Sequence, residues 1–299
     1  MAQPPAEMEI DEALVRTLLV EQQPDLAGLP LRHIDAGWDN ALWRVGDDLI
    51  VRLPRRSFAV GLTLNEQRWL PVIADSLPLP VPRPVRVGVP STAFPWPWSV
   101  VPYLRGTPGD VCALTDGPGA AWQLATFLRA LHVPAPSDAP LNSLRGSVPV
   151  GTRADDFERL LVKVGTEVEP RPLRAIWNAG VAASGRQGPP VWLHADLHPA
   201  NVLTDRGTLV GIVDFGDMCS GDRANDLAAA WIMLPDGAVE AFFDFYGGID
   251  RDTELRARAW AALLALMLLD VGLAGQRGRP GGKATWTAPA RAALQRIIT

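Results

Sequence analysis

The chain has 299 residues, 47% of them hydrophobic and 20% charged, with a net charge of −5 and a pI near 5.4. That length holds two units with sizeable cores, the composition excludes a disordered chain, and the acidic balance argues against nucleic acid as a partner. The two cysteines (Cys112, Cys219), an N-terminus without the basic and apolar parts of a signal peptide, and a longest apolar run of 11 residues (Ala259 to Leu269) point to a cytoplasmic, soluble protein with no membrane partner, a monomer or weak dimer.

In chain order, Ile10, Leu14 and Leu18 keep helical spacing over residues 9–23, which stops at Pro24. Residues 31–55 alternate as strand, turn, strand, turn, strand, with a turn at Ala36-Gly37-Trp38-Asp39-Asn40 and Arg52 on the third strand. A helix is expected at about 60–74. Proline density over 77–98 rules out helix there and fits extended linker and edge strands, before WSVVPYL reads as a buried strand. From residue 107 the pattern is helical: 120–134, then a Pro/Ser/Gly loop over 134–151, then short helices at 152–165 and 170–184. After the central stretch the helices resume at Asp226, over 236–247 and over 252–273. A Gly/Arg-rich tail at 274–285 is expected to be mobile, ahead of a last helix at 287–298. Asp236, Glu240, Asp244 and Asp250 in this half are either solvated acids or receivers for substrate ammonium groups.

The stretch from Val191 to Asp226 carries the chemistry. It sets Asp196, Asp214, Asp217, Asp222, Asp226, Asn201, His194 and His198 between short apolar strands. NVLT, the turn DRG and TLVGIVDF predict a hairpin whose second strand ends on Asp214. Asp196 and Asn201 stand five apart, and Asp214-Phe215-Gly216 follows. This D-x-x-x-x-N … D-F-G spacing is the phosphoryl-transfer arrangement: Asp196 accepts the proton of an attacking hydroxyl, while Asn201 and Asp214 hold Mg²⁺ through oxygen. A cap or turn role for each residue alone is ordinary, but the joint spacing is not. The alternative of a metal hydrolase built on His194-Ala195-Asp196-Leu197-His198 lacks a second pair of N or S ligands, so the two histidines are expected to orient the loop.

HADLHPANVL, then IVDFGD, then GDRANDLA resembles the aminoglycoside phosphotransferase family, which shares the protein-kinase-like fold with choline and macrolide kinases. The chain departs at Ala195, where the family has Gly, and at Arg223, where it has Pro. The resemblance implies an α+β, two-lobed fold, with a β-rich nucleotide-binding N-lobe (1–101), a hinge (102–106) and a mainly helical C-lobe (107–299). It implies ATP or GTP as donor and a hydroxylated small molecule as acceptor. An aminoglycoside is the first expectation; a macrolide, with GTP as donor, and a metabolite remain alternatives. It places the phosphate loop at Gly37 and Asn40, and puts Arg52, in the usual lysine position, with Glu66 on the next helix. Adenine would meet main-chain groups near Val101 and Tyr103, and Asp226 would brace the catalytic loop. His132 is read as structural. Arginine at position 52 is the one feature that favours a nucleotide-binding module without catalysis.

Overall fold

The computed structural model describes residues 5–299. The chain forms two compact units: the residues up to Asp75 together with Pro80–Arg105, and Gly106–Thr299 together with Ser76–Leu79. The first is a β-sheet lobe and the second a helical lobe, an α+β architecture.

In the first unit, α1 (Glu12–Gln22) starts on an N-cap, Asp11, whose carboxylate accepts the Leu14 N–H at 2.8 Å. Five strands follow, interrupted by one helix: β1 (Leu31–Ala36), β2 (Asn40–Val45), β3 (Leu49–Pro54), α2 (Ala59–Ile73), β4 (Arg86–Gly88) and β5 (Trp98–Pro102). They make one antiparallel sheet in the order β1-β2-β3-β5-β4. Alternation sorts its faces. Ala41, Trp43 and Val45 of β2, Val51 and Leu53 of β3, and Trp98 and Val100 of β5 turn to one side, where Val15, Leu18 and Leu19 of α1 complete the core. Arg52 lies between Val51 and Leu53 and therefore turns to the opposite face. Gly88 runs directly beneath the Trp98 indole, where a Cβ would collide with the ring. The Pro-rich stretch thus supplies an edge strand, as its composition implies.

The second unit opens with β6 (Thr107–Pro108) and α3 (Gly117–Leu131), capped by Asp116. Then come α4 (Ala154–Val164), α5 (Pro170–Ala182), β7 (Val191–Leu193), β8 (Val202–Asp205), β9 (Thr208–Ile212) and β10 (Cys219–Gly221). They are followed by α6 (Ala224–Leu227), α7 (Ala229–Met233), α8 (Ala238–Tyr246), α9 (Arg251–Gln276) and α10 (Thr287–Ile298). Two small sheets, β6-β8-β9 and β10-β7, carry the central stretch. Helix α9 is the core, packed by α4, α5, α6, α7 and α10. It is apolar nearly all round, the pattern of a buried helix.

Three local expectations change. Strand β9 ends at Ile212, two residues before Asp214, because Val213 gives its N–H to Asn201 O (2.9 Å) and Asp214 turns left-handed (φ 65°). The helix expected from Asp226 is two short ones, α6 and α7. The tail folds back on α9: Lys283 N bonds Val271 O (3.2 Å) and Arg279 N bonds Ala274 O (2.9 Å), with Gly275 and Gly282 in close approach. The 11-residue apolar run is likewise the middle of a 26-residue helix that is long and apolar enough to cross a membrane, yet 78% of its apolar window is buried inside the protein.

Candidate active site

The turn between β7 and β8 carries Asp196. Its shape depends on Ala195, whose φ of 72° lies in the left-handed region that disfavours a Cβ. Asp226, 1% exposed, holds it there: one carboxylate oxygen accepts the His194 N–H at 2.7 Å and the other accepts the Ala195 N–H at 2.8 Å. His132 Nε2 meets the same carboxylate at 3.3 Å, and His132 Nδ1 meets the Tyr246 hydroxyl at 2.9 Å, so His132 is a satisfied buried histidine. His194 Nε2 lies 3.0 Å from Val213 O while its Nδ1 takes the Asp196 N–H at 3.3 Å; these contacts assign the proton to Nε2. The His194 ring also tilts against Phe215. His198 Nδ1 likewise accepts a backbone N–H, that of Ala200, at 3.3 Å.

The Asp196 carboxylate is 20% exposed. Asn201 Nδ2 donates to the Asp196 carbonyl at 2.9 Å and to its Oδ2 at 3.3 Å, and His198 Nε2 lies 3.6 Å from Oδ2. With Nδ2 spent this way, the amide leaves Asn201 Oδ1 without a protein donor among the described residues. The Val213–Asn201 backbone bond ties Asp214 to the same turn, and Asp214 is exposed. One amide oxygen and one exposed carboxylate form a donor set that fits Mg²⁺, which takes a few protein oxygens and fills its shell with phosphate and water. Among the described residues no group of three or more His, Cys, Asp or Glu is arranged to hold a metal.

The sequence carries no spacing that reveals Arg145. Its Nη2 lies 2.7 Å from Asp196 Oδ1 and 3.3 Å from Asp217 Oδ2. Asn142 Nδ2 also donates to Asp217, at 2.7 Å. Burial pushes the Asp196 carboxyl up, but Arg145, then His198 and His194, carry it well below the usual carboxylate range. Asp217 moves the other way: burial raises it, Arg145 opposes the rise, and the nearby Asp196 and Asp214 add to it. Burial pulls the Arg145 guanidinium down, but Asp196 and Asp217 carry it further above its ordinary range. Asp196 is thus an ionised acceptor of a proton, with one oxygen held by a cation.

The other candidate residues lie in the first unit. Arg52 Nη1 pairs with Glu66 Oε1, both nearly buried (11% and 7% exposed side chains). Gly37 O accepts from Arg55 Nη1 at 2.9 Å, and Arg56 pairs with Asp39 at 2.7 Å, so two arginines hold the turn that precedes Asn40. Asn40 begins β2, opposite Pro54. Val101 sits in β5 opposite Ile50. Tyr103 gives its N–H to Asp48 O (2.7 Å) and its ring carries the Arg44 guanidinium 4.1 Å from the centroid, which leaves its main-chain carbonyl for a base. Of the acids further on, Asp236 pairs with Arg296 at 3.1 Å while its side chain stays 89% exposed, and the exposed Asp250 caps α9.

Homoserine kinase of Pseudomonas aeruginosa is 30% identical over 190 residues, covering 55% of this chain; the chain spans 60% of the length of that relative. The GDP and kanamycin complex of APH(2")-IIia superposes with a TM-score of 0.67 at 21% identity, over 95% of this chain and 97% of that one. The apoenzyme of macrolide 2'-phosphotransferase MphH from Brachybacterium faecium gives 0.61 at 24% identity, over 95% and 98%. At these identities the two structures share the fold. Residues 30–272 match the model of APH, the phosphotransferase enzyme family, and the chain belongs to that family.

Proposed function

We propose that this chain transfers the γ-phosphoryl group of a nucleoside triphosphate to a hydroxyl of a small molecule. The observation that carries the reading is the turn that joins Asp196, Asn201 and, through Val213, Asp214. Asp196 orients the acceptor hydroxyl and takes its proton late, as the alcohol oxygen bonds to the γ-phosphorus and the bond to the bridging β–γ oxygen breaks, releasing the nucleoside diphosphate. Asn201 Oδ1 and Asp214 would hold Mg²⁺, which neutralises charge on the transferring phosphate. Arg52, steadied by Glu66, and the backbone of the Gly37–Asn40 turn would take the donor's phosphates; an arginine fork suits phosphate and carboxylate together. Val101 and the Tyr103 carbonyl would face the base of the nucleotide.

An aminoglycoside is the first acceptor class, since solved neighbours of this fold include complexes with kanamycin and with streptomycin. A second reading, an amino-acid alcohol, is favoured by the homoserine kinases, the curated relatives that match at 30% identity. The test is phosphate transfer from ATP and from GTP with Mg²⁺ to kanamycin, a macrolide, choline and homoserine. Asp196→Ala is expected to lower turnover by about 10²–10⁴-fold with little change in nucleotide binding. A variant that keeps full turnover would sink the assignment.

A further inference from the structure

Three carboxylates converge near the candidate base, and one cation stands between two of them. Asp196 leaves the turn between β7 and β8. Asp214 and Asp217 leave the turn after β9, where Met218 N bonds Phe215 O (3.0 Å). Asp217 feels the charges of both Asp196 and Asp214. Arg145 separates the base from Asp217: its Nη2 stands 2.7 Å from Asp196 Oδ1 and 3.3 Å from Asp217 Oδ2. Asn142 Nδ2 donates to the other oxygen of Asp217 at 2.7 Å. The side chains of Arg145, Asp196 and Asp217 are 18%, 20% and 27% exposed, so solvent screens their charges weakly. Without the guanidinium, two mostly buried like charges would face each other and push the two turns apart.

The loop that carries Arg145 is pinned on the elements that carry the site. Asn142 N donates to Ser147 Oγ (2.9 Å), Ser147 Oγ donates to Ser220 O (2.6 Å), Ser220 N donates to Pro140 O (2.8 Å) and Asp222 N donates to Gly146 O (2.8 Å). Asn142 Oδ1 accepts the Leu144 N–H at 3.0 Å, which sets its amide with Nδ2 toward Asp217. Gly146 comes so close to β7 and α6 that a Cβ there would stand 2.6 Å from Leu193 Cδ1 and 2.7 Å from Asn225 Cβ. Leu193 leads into the turn that bears the base, and Asn225 precedes its brace, Asp226. Arg145 is thus anchored at its backbone and tied at its tip to both turns.

We propose that Arg145 is a positioning residue, whose guanidinium stays between Asp196 and Asp217 through turnover and holds the base in register with the turn that bears Asp214, while Asn142 fixes Asp217 from the other side. This rests on the phosphotransferase reading above. Arg145 touches neither donor nor acceptor; it acts through the two carboxylates. Held by one oxygen, Asp196 offers the other to the acceptor hydroxyl at a set distance from the transferring phosphate. Loss of the cation therefore lowers the rate at which bound substrates react and leaves their binding nearly unchanged.

The experiment compares wild type with Arg145→Met, Arg145→Lys, Asp217→Asn and the double variant Arg145→Met/Asp217→Asn. It follows release of nucleoside diphosphate from ATP and from GTP with Mg²⁺, with kanamycin, a macrolide, choline or homoserine present, and with water as the sole acceptor; the variants are compared on whichever acceptor wild type turns over fastest. Arg145→Met is expected to lower kcat by roughly 30- to 100-fold and to keep each KM within about threefold, since a misplacement of about 1 Å costs up to about 10²-fold in rate. Arg145→Lys keeps a cation without the fork and should lie between. Asp217→Asn alone should lower kcat by roughly three- to tenfold. The double variant should run at least about fivefold faster than Arg145→Met, because a neutral carboxamide no longer repels Asp196; residues in contact show such non-additivity. An unchanged kcat in Arg145→Met, a loss confined to KM, a lysine variant no faster than the methionine one, or a double variant no faster than Arg145→Met overturns the inference and leaves the phosphotransferase reading standing. If wild type releases no diphosphate in any mixture, both fall. Should Arg145→Met not fold, Asp217→Asn and Arg145→Lys decide: a wild-type kcat in both overturns the inference.

Discussion

Replacing Asp226 by Asn tests the brace beneath the candidate base. The carboxylate offers two acceptors to two buried N–H groups, at 2.7 and 2.8 Å. A carboxamide has one acceptor and one donor, so in either orientation its NH₂ faces the N–H of His194 or of Ala195. One charge-assisted hydrogen bond is lost, about 1.5–3 kcal/mol, and one buried N–H is left unpartnered, about 1–3 kcal/mol. The sum is about 2.5–6 kcal/mol, in the range of a broken buried network. Ala195 offsets part of the loss, because the left-handed conformation it holds is about 1–2 kcal/mol unfavourable and relaxes once its N–H is free. Urea unfolding followed by far-ultraviolet circular dichroism reads the helical unit, and its thermal midpoint is expected to drop by roughly 10 °C. Turnover should fall with KM nearly unchanged, since the base moves while the rest of the molecule stands. A loss under about 1 kcal/mol with an unaltered denaturant slope would show that the two N–H groups find other acceptors, and the bracing argument would be wrong.

Other outcomes follow from the same geometry. Ala195→Gly should change stability by less than about 1 kcal/mol, because relief of the left-handed strain is offset by a lost buried methyl and a more flexible unfolded chain; urea titration measures it. Glu66→Gln removes the carboxylate charge from the nearly buried Arg52–Glu66 pair, which should cost about 3 kcal/mol in the first unit and raise the KM for nucleotide, whereas replacing both partners with apolar residues should cost far less stability. Burial pushes the Cys219 thiol up to about 12, against a Ser147 hydrogen bond that lowers it, so Cys219 should resist alkylation at pH 8 in the folded protein and react on unfolding, as a timed thiol titration would show.

How much of this was legible in the sequence depends on the range of the contacts. Strands β2 and β3 show themselves through alternation, and the Asp196–Asn201–Asp214 set through local spacing, because a five-residue turn and a hairpin fix which side chains meet. The brace by Asp226 was readable only through resemblance, as its partners lie 31 and 32 residues away. Arg145 reaches Asp217 across 72 residues from a loop with no periodicity, and nothing in its neighbours announces the pairing. Ala195 read as a mild departure from glycine; its positive φ belongs to the folded turn and is absent from composition. The commitment of the Tyr103 N–H was hidden for a related reason: its acceptor is a main-chain carbonyl, which leaves no residue type to recognise.

Helix α9 has a consequence for how the protein is made. Its apolar sides are covered by α4, α5, α6 and α7, which emerge from the ribosome before it, and by α10, which emerges after. Until Ala290, Ala293, Leu294 and Ile297 of α10 arrive, a strip of a long apolar helix faces water in an otherwise assembled unit. Such a strip is a site for chaperones or for self-association. The last helix therefore closes the core late, and a nascent chain that stalls before it would be sticky while already holding an almost complete candidate site.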